Sequence, residues 1–146
     1  MTDHGPSPAE TYEYYLGPAM ADPFTQILLG YVSPRQGERV LDVACGTGSA
    51  ARHIAPMLGT EGKVVALDIN PDMLAVGSAQ PAPAGAPIEW RQGTAVRLDL
   101  PDEAFDLVLC QQGLQFFSDR AASVREMQRV LAPGGRAGIS VWQSLE

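Results

Sequence analysis

Cysteine is scarce in this chain, with two in 146 residues. Cys45 and Cys110 lie far apart, so no disulfide framework is expected and a reducing cytoplasm is the default setting. Basic charge is also thin: 10 Lys and Arg against 17 Asp and Glu leave a net charge of −7. Nucleic-acid phosphates are gripped by clustered Lys and Arg, so that class of partner is not expected. Long apolar runs are missing too. Ile27 to Leu29 and Leu107 to Cys110 fall far below the roughly 18 residues of a membrane span. The start, Met1-Thr2-Asp3-His4-Gly5-Pro6, has neither a basic flank nor an apolar stretch, so no secretion signal is read there. What is present is a globular composition, 45% hydrophobic and 18% charged, too apolar for disorder. The length predicts one domain that buries about two thirds of its unfolded surface.

Residues Met1 to Pro8 read as a loose tail. From Ala9 to Val32 aromatic and aliphatic residues are broken by Gly17-Pro18 and Asp22-Pro23, which predicts two short helices joined by proline turns. The body then alternates. Val40 to Ala44 is an apolar run ending in glycines, followed by Ala50, Ile54, Met57 and Leu58 on one helical face. Val64 to Leu67 is the next strand, and Asn70-Pro71 supplies an N-cap and first-turn proline for a helix to Gly77. A proline-alanine connector, Ser78 to Pro87, leads to strand Ile88 to Trp90, and Asp106 to Cys110 makes a fourth strand. Val124, Met127 and Leu131 mark a helix face entered through Ser118 or Asp119 and closed by Pro133-Gly134-Gly135; Ala137 to Trp142 is a fifth strand. Continuous apolar strands are buried on both faces, and strand–helix alternation gives right-handed crossovers. The fold expected is therefore α/β, a doubly wound parallel sheet of five strands with an N-terminal helical segment. Ligands of such sheets lie beyond the carboxyl ends of the strands, where strand order reverses.

The sharpest feature is Asp42-Val43-Ala44-Cys45-Gly46-Thr47-Gly48, a strand that runs through a glycine turn into a helix. Without a Cβ, Gly46 and Gly48 let the chain turn tightly and let a ligand lie against helix N–H groups. Asp68, 20 residues beyond Gly48 at the end of the next strand, is placed to accept hydrogen bonds from ribose hydroxyls. Gly46, Gly48 and Ala51 with Asp68 also satisfy a nicotinamide-dinucleotide fingerprint. Asp42 decides against it: its charge points toward the turn where a pyrophosphate must sit. A cofactor with an ammonium and a sulfonium but no phosphate suits that acid better, by about 1–4 kcal/mol for charges a few ångströms apart near a surface.

The run from Val40 to Gly48 resembles the first motif of class I S-adenosylmethionine-dependent methyltransferases. Val65 to Leu74, Leu98 to Val108 and Arg129 to Gly135 follow in the family's order, and the likeness extends from Val40 to Trp142. It is greatest to the small-molecule branch that includes quinone-biosynthesis methyltransferases. The resemblance implies a Rossmann-like domain over residues 33–146, with 1–32 as an N-terminal tail and helical cap. It further implies that Asp42 and the turn formed by Ala44, Cys45, Gly46, Thr47 and Gly48 hold the methionine part of the cofactor. Asp68 would bind the ribose, and Ile69 and Met73 would pack on the adenine. Thr94 and Ala95 stand at the adenine edge, with Thr94 replacing the family's usual acid. Gln111 would lie beside the sulfonium and the substrate entrance. The reaction implied is direct displacement: a small-molecule acceptor attacks the activated methyl and S-adenosylhomocysteine leaves, with no metal.

Cys45 reads as a turn residue, Cys110 as a buried strand end and His53 as a surface or satisfied histidine. His4 would reach the site only if the tail folds over it. Tyr12, Tyr14 and Tyr15 read as packing residues, with Tyr15 the candidate to close the pocket; Trp90 and Trp142 read as core. Gln111, Gln112 and Gln115 are polar for their surroundings and mildly favour a ligand-facing loop. Base-amine methylases carry Asn or Asp and two prolines where this chain has Cys110-Gln111-Gln112-Gly113, a second sign against nucleic acid. The family's domains continue through two more strands after the fifth. A truncated form, a fragment or a protomer completed by a partner is therefore expected, and the exposed fifth-strand edge is the candidate surface for a homodimer. Two other functions fit the same residues: an inactive or partner-dependent cofactor-binding fragment, and an NAD-dependent oxidoreductase domain.

Overall fold

Strands β1 (Arg39–Val43), β2 (Lys63–Asp68), β3 (Ile88–Gln92), β4 (Phe105–Gln111) and β5 (Leu131–Ser140) form one sheet in a computed structural model that describes residues 5–144. All pair in parallel, in the order β3-β2-β1-β4-β5. The chain steps outward from β1 to β3, then returns to lay β4 on the other side of β1. The order therefore reverses between β1 and β4, and the crevice of a doubly wound sheet opens at their carboxyl ends.

Alternation along the strands builds two cores. Val40, Val64, Ala66, Leu107 and Leu109 pack on one face with α2 (Asp22–Val32) and α3 (Ser49–Leu58). Leu41, Val43, Val65, Leu67 and Val108 pack on the other with Met127 and Val130 of α5 (Arg120–Val130). Full burial of each such side chain contributes about 1.5–3 kcal/mol, which is why these strands read as unbroken apolar runs.

The segment before β1 is one helical run, where two helices joined by proline turns were expected. Ser7 and Glu10 form a reciprocal capping box on α1 (Pro8–Thr11). The chain winds on as a π-helix over Tyr12–Ala21 and continues directly into α2. In the π segment the Asp22 N–H bonds the Gly17 carbonyl, five residues back. That wider winding carries Pro18 without ending the run. The loose tail expected over Met1 to Pro8 ends sooner, because Ser7 caps α1 and Pro8 opens it; residues 1–4, and with them His4, lie outside the described residues.

Other boundaries and faces also shift. In α3 the inner stripe is Ala50, Ala51, Ile54, Ala55 and Leu58; Met57 falls at its edge and is 44% exposed. α4 (Pro71–Ala79) runs two residues past Gly77, with Asn70 accepting from the Asp72 N–H at 2.9 Å as its N-cap. Asp119, one of the two expected caps, accepts from the Ala122 N–H at 2.9 Å to start α5. The inner face of α5 is Ser123, Met127 and Val130, with Val124 exposed. A serine can take that place because its hydroxyl donates to the Asp119 carbonyl at 2.9 Å. Strand β5 begins at Leu131, six residues before the expected start. Leu131 pairs with Phe105 and Arg136 with Leu107, so Pro133-Gly134-Gly135 bulges out within the strand instead of closing the helix. Trp142 lies beyond β5, 49% exposed, edge-to-face with Phe24 at 4.9 Å, and is not core. Arg136 ties β5 to the end of α2 by donating to the Val32 and Ser33 carbonyls at 2.7 and 2.9 Å and to Glu38 at 2.6 Å. Among the described residues no helix is long and apolar enough to cross a membrane.

Candidate functional site

The turn after β1 is built from left-handed residues: Ala44 (φ 57°), Gly46 (φ 57°) and Gly48 (φ 86°). It is stitched to β2 twice. The Cys45 N–H donates to the Leu67 carbonyl at 3.0 Å, and the Gly46 N–H donates to Asp68 Oδ2 at 2.8 Å. Asp68 Oδ1 accepts from the Asn70 N–H at 2.9 Å. Asp68 therefore does not cap α4, which is the task of Asn70; it fixes the glycine turn against the end of β2. Two of the roughly four lone-pair directions of its carboxylate stay free for a ligand hydroxyl.

A cavity of about 510 Å³ opens here. Asp42, Ala44, Cys45 and Gly46 form its β1 side. Asp68, Ile69 and Met73 form the β2 side, Thr94 and Ala95 the far wall, and Gln111 enters from β4. Thr47 and Gly48 do not line it. Thr47 is buried, and a Cβ on Gly48 would stand 2.3 Å from the Trp90 ring. Gly48 thus serves the packing of α3 on β3.

Asp42 is 1% exposed and its Oδ2 has no hydrogen-bond partner. Burial pushes its pKa up to about 7; the Asp68 charge adds to this, and the Ala51 N–H acts in the opposite sense. A buried carboxylate without a partner is costly unless a cation meets it. Acids dominate the surroundings. Burial, then the charges of Glu13, Asp42, Asp68 and Asp22, raise the pKa of Tyr12. The nearby cation Arg52 is held by Glu13 at 2.7 Å. A site so charged favours a cationic ligand and disfavours a diphosphate.

The N-terminal helical run closes one side of the cavity. Tyr12 and Ala21 line it, and a Cβ on Gly46 would lie 3.9 Å from the Tyr12 ring. Tyr15 is 67% exposed, so the closing tyrosine is Tyr12. Gln111 anchors this run: its Oε1 accepts from the Thr25 hydroxyl at 3.0 Å and its Nε2 donates to the Ala21 carbonyl at 3.1 Å. With both ends of its amide engaged, Gln111 shapes the wall. Ser49, whose hydroxyl donates to Asp22 at 2.6 Å, joins the same tether. His53 Nδ1 sits 2.8 Å from the Ser49 carbonyl, a satisfied histidine. Cys110 is buried with its thiol pushed up to about 12, and burial together with Asp42 and Asp68 raises Cys45, so neither is an activated nucleophile.

At the end of β4 and just after it, sequence reasoning singled out only Gln111, Gln112 and Gln115, as a mild sign of a ligand-facing loop. Gln112, Gly113, Phe116, Phe117 and Ser118 line the cavity. The rule that ligands sit past strand ends points there, and the glutamines were a weak signal. Nothing in the local pattern announces Tyr12, because its place depends on how the helical run folds back over β1.

The profile of the methyltransferase-domain family matches residues 40–135. Over 104 residues the chain is 45% identical to the ubiquinone/menaquinone biosynthesis C-methyltransferase UbiE of Hahella chejuensis, covering 70% of this chain and 42% of that protein. It is 36% identical over 107 residues to the 2-phytyl-1,4-naphtoquinone methyltransferase of Synechococcus elongatus, covering 72% of this chain and 46% of that one. Among solved structures, a SAM-dependent methyltransferase from Aquifex aeolicus superposes with a TM-score of 0.73 at 23% identity, over 84% of this chain and 65% of that chain. The chain thus spans less than half the length of the curated relatives it matches.

Proposed function

Because the chain belongs to the class I S-adenosylmethionine-dependent methyltransferases, we propose that it transfers a methyl group to a small hydroxylated ring, the quinol type of acceptor that its relatives' names suggest. One observation carries the reading: the buried carboxylate of Asp42, its Oδ2 without a partner, on the wall of an acidic cavity, beside a glycine turn, at the switch point of the sheet. The residues present fit the family's cofactor. Asp42 supplies a counter-charge for its ammonium, and the Ala44 to Gly46 turn supplies a surface without bulk. The free lone pairs of Asp68 suit ribose hydroxyls, and Ile69, Met73, Thr94 and Ala95 offer a largely apolar slot for adenine. Bound there, S-adenosylmethionine would supply a methyl carbon on a sulfonium: the acceptor's bond to that carbon forms as the carbon–sulfur bond breaks, S-adenosylhomocysteine leaves as a neutral thioether, and the acceptor's proton passes to solvent.

The chain's own contribution is binding, alignment and exclusion of water. Aligning two reactants contributes up to roughly 7–11 kcal/mol. The Tyr12 ring, the Phe117 ring and the tethered helical run shield the crevice, which favours an anionic nucleophile that loses charge as it reacts. Two free thiols and an acidic surface suit a reducing cytoplasm. Calorimetry with S-adenosylhomocysteine tests the reading: micromolar binding is expected, together with substantial weakening in Asp68→Ala. Binding of NADH with no response to S-adenosylhomocysteine would sink it.

A further inference from the structure

We propose that Gln112 is the residue that reads the acceptor, its side-chain amide receiving a ring hydroxyl next to the Phe116 and Phe117 rings. Gln112 follows β4 in a left-handed conformation (φ 56°), a position that disfavours any side chain but glycine, asparagine or aspartate. The conformation is held from both sides. Its own N–H donates to the Ser140 carbonyl at 2.8 Å, at the end of β5. Gly113 next to it leaves no room for a side chain: a Cβ there would come within 2.7 Å of the Ala44 Cβ and 3.1 Å of the Cys110 sulfur. Strain retained at a cavity wall is a mark of ligand-contacting residues.

The side chain supplies the second observation. Gln112 lines the cavity, its Nε2 reaches the Ser140 hydroxyl only at 3.5 Å, and its Oε1 is buried without a partner. An unmatched buried amide oxygen is unfavourable until a donor arrives. The neighbouring Gln111 amide already has its oxygen bonded to Thr25 and its nitrogen to Ala21, so the oxygen left without any donor is that of Gln112. The acids of the cavity leave the Gln112 oxygen as a neutral acceptor suited to a neutral hydroxyl. Phe116, 79% exposed at the rim, and Phe117 offer ring surfaces against which a planar acceptor stacks.

The inference rests on the methyl-transfer reading, and the test separates the two. Protein saturated with S-adenosylhomocysteine is titrated anaerobically with 1,4-dihydroxynaphthalene and with 1,4-dimethoxynaphthalene, which keeps the ring but has no hydroxyl to donate. The wild-type chain is expected to prefer the dihydroxy compound by about tenfold, the effect of one hydrogen bond of about 1.4 kcal/mol. Gln112→Gly, which relieves the backbone, and Gln112→Met, which keeps the length, should both abolish that preference while binding S-adenosylhomocysteine as the wild type does. A merely structural role would weaken both naphthalenes alike. No preference in the wild type, or a preference that survives in both variants, overturns the role of Gln112. A wild-type chain that takes up no S-adenosylhomocysteine overturns the methyl-transfer reading beneath it as well.

Discussion

Asp42 shows how one residue links sequence to chemistry. Its charge was legible in the sequence because it precedes a glycine turn; its isolation was not, because burial depends on every element packed around it. The raised pKa fixes a sign. Folded Asp42 titrates near 7 and the unfolded residue near 3.8, so between those values the folded chain holds a proton that the unfolded chain has released. Stability contributed by that proton falls as pH rises through this window and is gone above it, on the order of 4 kcal/mol. A ligand ammonium beside the carboxylate recovers part of that loss. Affinity for S-adenosylhomocysteine should therefore increase from pH 6 to pH 8, with proton release visible as a buffer-dependent heat. Asp42→Asn should melt higher than the wild type at pH 8 and alike at pH 5, and bind the ligand at least about tenfold more weakly with little pH dependence. Identical melting curves at both pH values would show that the carboxylate is not isolated. Asp68 contrasts with it. Its position at the end of β2 was readable and its bond from the Asn70 N–H is local, but its bond from the Gly46 N–H, 22 residues away, came only from three-dimensional contact.

The elements were readable wherever a single period dominates. All five strands were, β1, β2 and β4 because most of their side chains are apolar and buried on both faces, β3 and β5 only from short apolar stretches, and so were the starts of α4 and α5, set by Asn70 and Asp119. The errors fall where tertiary contacts override local signals. Pro18 predicts a break, yet the π winding carries the run from α1 to α2; Pro133-Gly134-Gly135 predicts a stop, yet pairing with β4 extends β5 across it. Glycines before and after β1 meet two different requirements that the sequence cannot separate. Gly37 and Gly48 both have φ above +80° or close to it, but a Cβ on Gly37 meets nothing within 4 Å, whereas on Gly48 it meets the Trp90 ring at 2.3 Å. Gly37→Ala should lose only the backbone cost of about 1–2 kcal/mol. Gly48→Ala adds overpacking of about 1–3 kcal/mol and should lose clearly more. Urea unfolding of both variants decides this, and equal losses would mean that Trp90 swings aside freely.

At the scale of the whole molecule the site is a product of topology. Strand order reverses between β1 and β4, so the turn after β1, the end of β2 and the segment after β4 converge on one cavity although some 70 residues separate Asp42 from Gln112. The helical run then closes the crevice from a part of the chain that lies outside the matched family region. Its Tyr12 and Ala21 touch the cavity, while Glu13, Asp22 and Thr25 bond to Arg52, Ser49 and Gln111. A ligand that fills the cavity therefore bears on this run as well as on the strand ends. With S-adenosylhomocysteine at a hundred times its Kd, global stability should rise by about 2.7 kcal/mol, raising Tm by several degrees. Local protection should be selective. Amide exchange is expected to slow in Tyr12–Ala21, which lines the cavity through Tyr12 and Ala21, and in residues 111–118. It should not change beyond the global effect around residues 97–101, which lie at a separate surface held by Arg129. Hydrogen–deuterium exchange with peptide resolution makes the comparison. Slowing confined to the β1 and β2 ends, with residues 12–21 unchanged, would show that the helical run plays no part in holding the ligand.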